Sequence, residues 1–78
     1  MKVEARTYAS LSAPGEQAGE PREVELREAG TVADLISALG IEAADVHLVI
    51  VDGRISHRRD EPLRGGARVA LFPAVGGG

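Results

Sequence analysis

Only one stretch of this chain carries a helical period, and it is short. Val32, Leu35, Ile36 and Leu39 fall at i, i+3, i+4 and i+7, one apolar stripe of an amphipathic helix. Thr31 stands at the N-cap position, and Asp34, three residues on, completes a variant of the capping box. Its carboxylate also suits the positive end of the helix dipole. Gly40 occupies the place of a left-handed C-terminal cap. At 1.5 Å per residue such a helix is about 12–15 Å long, enough to cross one face of a small sheet. The chain has residues for one helical layer only, so the remaining apolar segments must build a sheet beneath it.

Those segments read as strands. From Lys2 to Ala9 the pattern alternates, with Val3, Ala5 and Thr7 on one side and Lys2, Glu4, Arg6 and Tyr8 on the other. Ser10 to Pro21, with Pro14-Gly15, Gly19 and Pro21 among small polar residues, reads as a loop. Glu23 to Glu28 alternates again, Val24 and Leu26 facing inward, which predicts an N-terminal hairpin. Glu42 to Asp45 is a connection. His47 to Val51 is apolar at nearly every position, the mark of a central strand covered at least partly on both faces. Asp52-Gly53 is a turn, Arg54 to Ser56 a short strand, and His57 to Pro62 a charged, solvated loop. Leu63 tucks under the core and Gly65-Gly66 turns the chain into a last strand, Arg68 to Phe72. There Val69 and Leu71 share one face, Ala70 and Phe72 the other. The expected architecture is α+β: one mixed sheet of four to five strands with one main helix packed across it.

The bulk numbers exclude more than they assign. The chain has 78 residues, and a domain of this size buries only about 60% of its unfolded surface. That leaves little room for a deep catalytic pocket, and an enzyme with its own cleft is not expected. A net charge of −3 argues against a nucleic-acid partner. The absence of cysteine excludes a disulfide framework, a thiolate metal site and a cysteine nucleophile. It fits the cytoplasm, the expected location. No apolar run approaches the ~20 residues of a membrane span. His47 and His57 lack a third ligand, so no metal is expected. Gly65-Gly66 is not a phosphate loop, because no Lys-Ser/Thr follows.

The candidate functional segment is Phe72-Pro73-Ala74-Val75-Gly76-Gly77-Gly78. We read residues 1–73 as the domain and 74–78 as a flexible glycine tail. Glycines have no side chain to clash and accept unusual backbone angles, so such a tail can enter a narrow, dry site on another enzyme. Ala74 to Gly78 can reach at most roughly 17 Å. Pro73, with its fixed φ, sets the direction of departure. The carboxylate of Gly78 is then the expected reactive group, Pro73 to Gly77 the threading segment, and Ala70 with Phe72 a docking surface.

At these residues the chain resembles the MoaD/ThiS sulfur-carrier family, and most nearly the small subunit of molybdopterin synthase. Val69 to Gly78 is similar to its closing strand followed by Phe-Pro-Pro-Val, a small residue and Gly-Gly. Ala74 replaces the second proline and Gly76 the small residue. Thr31 to Ile41 matches the family helix, and Val51-Asp52-Gly53-Arg54 resembles its Val-Asn-Gly turn. One departure is Gly66-Ala67, where the family often has Gly-Asp, which puts the turn geometry in question. The Ser10–Pro21 loop favours the molybdopterin-type branch, while the ending Val-Gly-Gly-Gly also occurs in thiamin-type carriers.

The resemblance implies a ubiquitin-like β-grasp fold in which the first and last strands are neighbours. It implies no bound cofactor and a chain that is monomeric when free. An E1-like adenylating enzyme would use Mg-ATP to activate Gly78, and sulfur would displace AMP to leave a thiocarboxylate. The acceptor would sit on the molybdopterin synthase large subunit or another sulfur-acceptor enzyme. The alternatives are a ubiquitin-like modifier conjugated through Gly78, a sulfur carrier for thiamin, cysteine or tRNA thiolation, and a passive binding module. Lys2 is the only lysine, so polymeric tagging through lysine has a single site to use.

Overall fold

The computed structural model describes residues 1–12 and 15–74. In chain order these form β1 (Lys2–Thr7), a 3₁₀ turn (Ala9–Leu11), β2 (Arg22–Glu25), α1 (Val32–Ala38), a second 3₁₀ turn (Ala43–Asp45), β3 (Val46–Val51), β4 (Arg54–Ser56) and β5 (Arg68–Pro73). One five-stranded mixed sheet runs in the order β2-β1-β5-β3-β4. The first and last strands in the chain, β1 and β5, are neighbours inside the sheet and pair in parallel; every other neighbouring pair is antiparallel. This is the ubiquitin-like β-grasp. The middle strand is β5, not the apolar β3.

Helix α1 is short, and both its ends are closed. Its N-terminal N–H groups all find acceptors. Thr31 N–H donates to the Asp34 carboxylate at 2.8 Å, and Asp34 N–H donates back to the Thr31 hydroxyl at 3.2 Å. Val32 N–H donates to the Glu61 carbonyl at 3.0 Å and Ala33 N–H to the Arg59 carbonyl at 2.8 Å. The charged loop is therefore more than a solvated face: its backbone caps the helix. At the other end Gly40 takes φ +73°, and the N–H groups of Gly40 and Ile41 reach back to the carbonyls of Ser37 and Ile36. That pair of bonds is the left-handed closure for which glycine is suited. A seven-residue helix is marginal by itself, so its stability comes from these ends and from burial of Val32, Leu35 and Ile36.

The core lies between α1 and one face of the sheet. Val3 and Ala5 of β1, Val69 and Leu71 of β5, and Val49 and Val51 of β3 meet Leu35 and Ile36 there. Leu63 tucks beneath as expected, 4% exposed. Strand limits differ from the sequence reading in four strands, with β3 starting one residue earlier, at Val46, and β5 ending one residue later, at Pro73. β1 ends at Thr7 because Tyr8 and Ala9 enter the 3₁₀ turn, Ala9 with φ +52°. β2 covers Arg22–Glu25, so Leu26, though buried, lies beyond the strand. β3 carries a register shift between Val46 and Leu48 that leaves Val46 buried and His47 exposed. Its other face has no covering layer among the described residues, and Leu48 and Ile50 are half-buried.

The turn before β5 holds without the family's aspartate. Gly66 N–H donates to the Lys2 carbonyl at 2.7 Å, and Glu4 N–H to the Ala67 carbonyl at 2.8 Å. The Asp52 carboxylate accepts from Arg68 N–H at 2.9 Å. Ala67 itself is buried, a position where a carboxylate would be desolvated.

Candidate functional site

Alternation along β5 turns Val69 and Leu71 to the core and Ala70 and Phe72 to the outer face of the sheet, as the sequence predicts. What stands beside them is set by register. Thr7 pairs with Leu71 in the parallel ladder, which brings the next residue, Tyr8, alongside Phe72. Their rings stack at 4.4 Å between centroids with planes 8° apart. On the other side Leu48 pairs with Phe72, Ile50 with Ala70, and Ile50 with Ile55 of β4. An apolar band thus crosses the outer face from Tyr8 through Phe72 and Leu48, then Ala70 and Ile50, to Ile55. Ile55 is 52% exposed, the large apolar residue most open to water among those described.

The other half of the same face is charged. Lys2 lies 3.5 Å from Glu23, and Arg6 3.3 Å from Glu4. An apolar centre with a polar border is the composition of a protein-docking surface. The sequence reading named Ala70 and Phe72 and missed Tyr8, Leu48, Ile50 and Ile55. Alternation already put Tyr8 on the outer side with Arg6. No local signal announced that a residue eight positions into the chain would stack on one at position 72.

Pro73 closes β5 opposite the irregularity in β3, paired with Val46 while His47 is passed over. A proline is tolerated there because the ladder is already interrupted. Both Phe72 and Pro73 are half-buried and Ala74 is exposed, so the chain leaves the sheet from its middle strand. Val75, Gly76, Gly77 and Gly78, expected as the threading and reactive residues, lie outside the described residues.

The charged groups serve the frame rather than this exit. Glu61 is held below the usual glutamate range by the Arg54 guanidinium and then by the Ser56 hydroxyl. Asp34 is lowered first by the Thr31 backbone N–H, then by Arg27. His47 and His57 are exposed on separate segments, and no group of three or more His, Cys, Asp or Glu side chains is placed to hold a metal ion among the described residues. One open groove, lined by Lys2, Arg22, Gly66 and Arg68, lies at the far end of β1 from Pro73. No helix is long and apolar enough to cross a membrane among the described residues. The arrangement sets an apolar band on the outer face beside the point where the chain leaves the sheet.

A model of the ThiS family matches residues 12–78. No curated protein sequence matches the chain. Among solved structures, the putative molybdopterin converting factor subunit 1 from Pyrococcus furiosus is 29% identical, with a TM-score of 0.72 over 96% of this chain and 99% of that one. The small archaeal modifier protein 1 of Haloferax volcanii is 22% identical, with a TM-score of 0.73 over 95% and 98%. The Helicobacter pylori complex of subunits 1 and 2 of molybdopterin-converting factor contains a chain 18% identical, with a TM-score of 0.63 over the whole of both.

Proposed function

The chain belongs to the ThiS family, and from that premise we propose that it is a sulfur carrier whose Gly78 carboxylate is the reactive group. The observation that carries this reading is the position of β5. The middle strand of the sheet ends beside an apolar docking band, at Phe72-Pro73, and the sequence then runs Ala-Val-Gly-Gly-Gly. The band binds partner enzymes, and the glycines pass into their active sites. An E1-like enzyme with Mg-ATP transfers AMP to the carboxylate and releases pyrophosphate. Hydrosulfide then adds to the acyl carbon, expels AMP and gives up its proton, leaving the thiocarboxylate. This chain supplies no acid or base to either step; it presents the tail and is regenerated. Molybdopterin formation is the favoured pathway, supported by the likeness to the Pyrococcus furiosus converting-factor subunit. A large subunit of molybdopterin synthase is then the acceptor's host.

The test is intact-protein mass spectrometry of the untagged chain, incubated with its host's activating enzyme, Mg-ATP and a sulfur donor. The expected result is a mass gain equal to exchanging one oxygen for sulfur, located on the Gly78 peptide. An unchanged mass with an active cognate enzyme would overturn the carrier reading. Isopeptides from Gly78 to lysine in cell lysate would replace it with the modifier reading.

A further inference from the structure

In the loop between β1 and β2, Gly19 approaches the Tyr8 ring, which stacks on Phe72 near the end of β5. Gly19, at φ +77°, lies against the hydroxyl end of Tyr8: a Cβ at this position would stand 3.0 Å from Cε1 and 3.2 Å from Oη. Gly19 is itself fastened to β1. Its N–H donates to the Thr7 carbonyl at 2.9 Å, and its carbonyl accepts from the Arg6 guanidinium at 3.2 Å. Both of those residues immediately precede Tyr8. The loop is further tied by the Thr7 hydroxyl, which donates to Glu16 at 3.2 Å. The Tyr8 ring therefore has its far end against a fixed backbone and its face against Phe72. Phe72 is followed by Pro73, whose locked φ leaves ψ as the one soft backbone angle of that residue between Phe72 and Ala74.

We propose that Tyr8, backed by Gly19, is a positioning residue for the donor segment: its ring holds Phe72 and so fixes the direction in which the backbone leaves the sheet at Pro73 and Ala74. The purpose of that direction rests on the proposed function; the coupling itself does not. Glycine is required at position 19 for two separate reasons. Its backbone angle disfavours other residues, and a Cβ there would crowd the Tyr8 ring and require it to give by a few tenths of an ångström.

Two substitutions separate these reasons. Gly15, in the same loop, has φ +82° but nothing within 4 Å of a Cβ. Gly15→Ala imposes the backbone strain alone, and Gly19→Ala imposes the strain and displaces the ring. Nuclear magnetic resonance of the full chain reads the result. Gly19→Ala and Tyr8→Ala are expected to shift the resonances of Phe72, Pro73 and Ala74; Gly15→Ala and Tyr8→Phe are expected to leave Pro73 and Ala74 in place. If Gly19→Ala does not fold, Tyr8→Ala against Tyr8→Phe decides the same point. Resonances of Pro73 and Ala74 that stay put in Tyr8→Ala or in a folded Gly19→Ala would overturn the proposal.

With the host's activating enzyme and Mg-ATP, Gly19→Ala is expected to raise KM about 3- to 10-fold, with kcat near wild type, the loss of one aromatic contact's worth of positioning. Gly15→Ala is expected to leave KM unchanged. An unchanged KM in Gly19→Ala would also overturn the proposal. A wild-type chain that is never thiocarboxylated sinks the proposed function instead, and the resonance comparison still tests the coupling.

Discussion

Ile55 is a large apolar side chain that the fold leaves in water, on a three-residue edge strand. Its removal costs the folded state little, so its value must be measured against a partner. Ile55→Glu is expected to change unfolding free energy by no more than about 0.5 kcal/mol, since it disturbs no buried contact. The same change should weaken binding to the activating enzyme by about tenfold, because a charge would replace the most exposed apolar side chain of the proposed docking band. Chemical denaturation and titration calorimetry give the two numbers. Thr31 is the opposite case, a residue whose contribution is entirely internal. Its hydroxyl accepts from Asp34 N–H, so Thr31→Ala should cost about 1 kcal/mol of stability in a denaturation experiment and leave partner affinity unaltered.

At the scale of elements, α1 shows what a sequence states openly. Thr31, Asp34 and Gly40 act within a few residues of one another, and the i, i+3, i+4, i+7 stripe needs no partner to be recognised. Leu35→Ala should lower stability by about 2–5 kcal/mol, checked by urea denaturation, because a side chain with no exposure leaves a cavity between helix and sheet. β3 shows where legibility stops. His47 to Val51 is nearly continuous in apolar residues, which reads as a central strand covered at least partly on both faces; how fully each face is packed is not written in the segment itself. Only the strand order decides, and that order depends on parallel pairing of β1 with β5 across most of the chain. The bulge at His47, the Tyr8–Phe72 stack and the capping of α1 by the Arg59 and Glu61 carbonyls are likewise long-range outcomes. Ala70 and Phe72 were found by alternation alone. The residues that complete their band belong to three other segments.

For the molecule as a whole, acidity is the condition that should loosen the frame. Asp34 and Glu61 sit below the usual carboxylate range, so the folded state binds fewer protons than the unfolded chain wherever the two differ. Stability from these groups is fully present above the ordinary carboxylate range, about pH 4, and is lost as pH falls through the lowered folded values. The urea midpoint should be nearly flat from neutral pH down to about 5 and drop below about 4, with a shallower drop in Glu61→Gln. Both carboxylates are half-buried, so high salt should weaken the effect only in part. The central position of β5 has a mechanical consequence as well. A pull applied beyond Pro73, against a sheet held by its outer face, loads the β1 and β5 ladder and the β3 and β5 ladder in shear. Their hydrogen bonds share the force instead of opening one after another. Tension applied along the chain beyond Pro73 therefore meets the part of the fold best able to bear it.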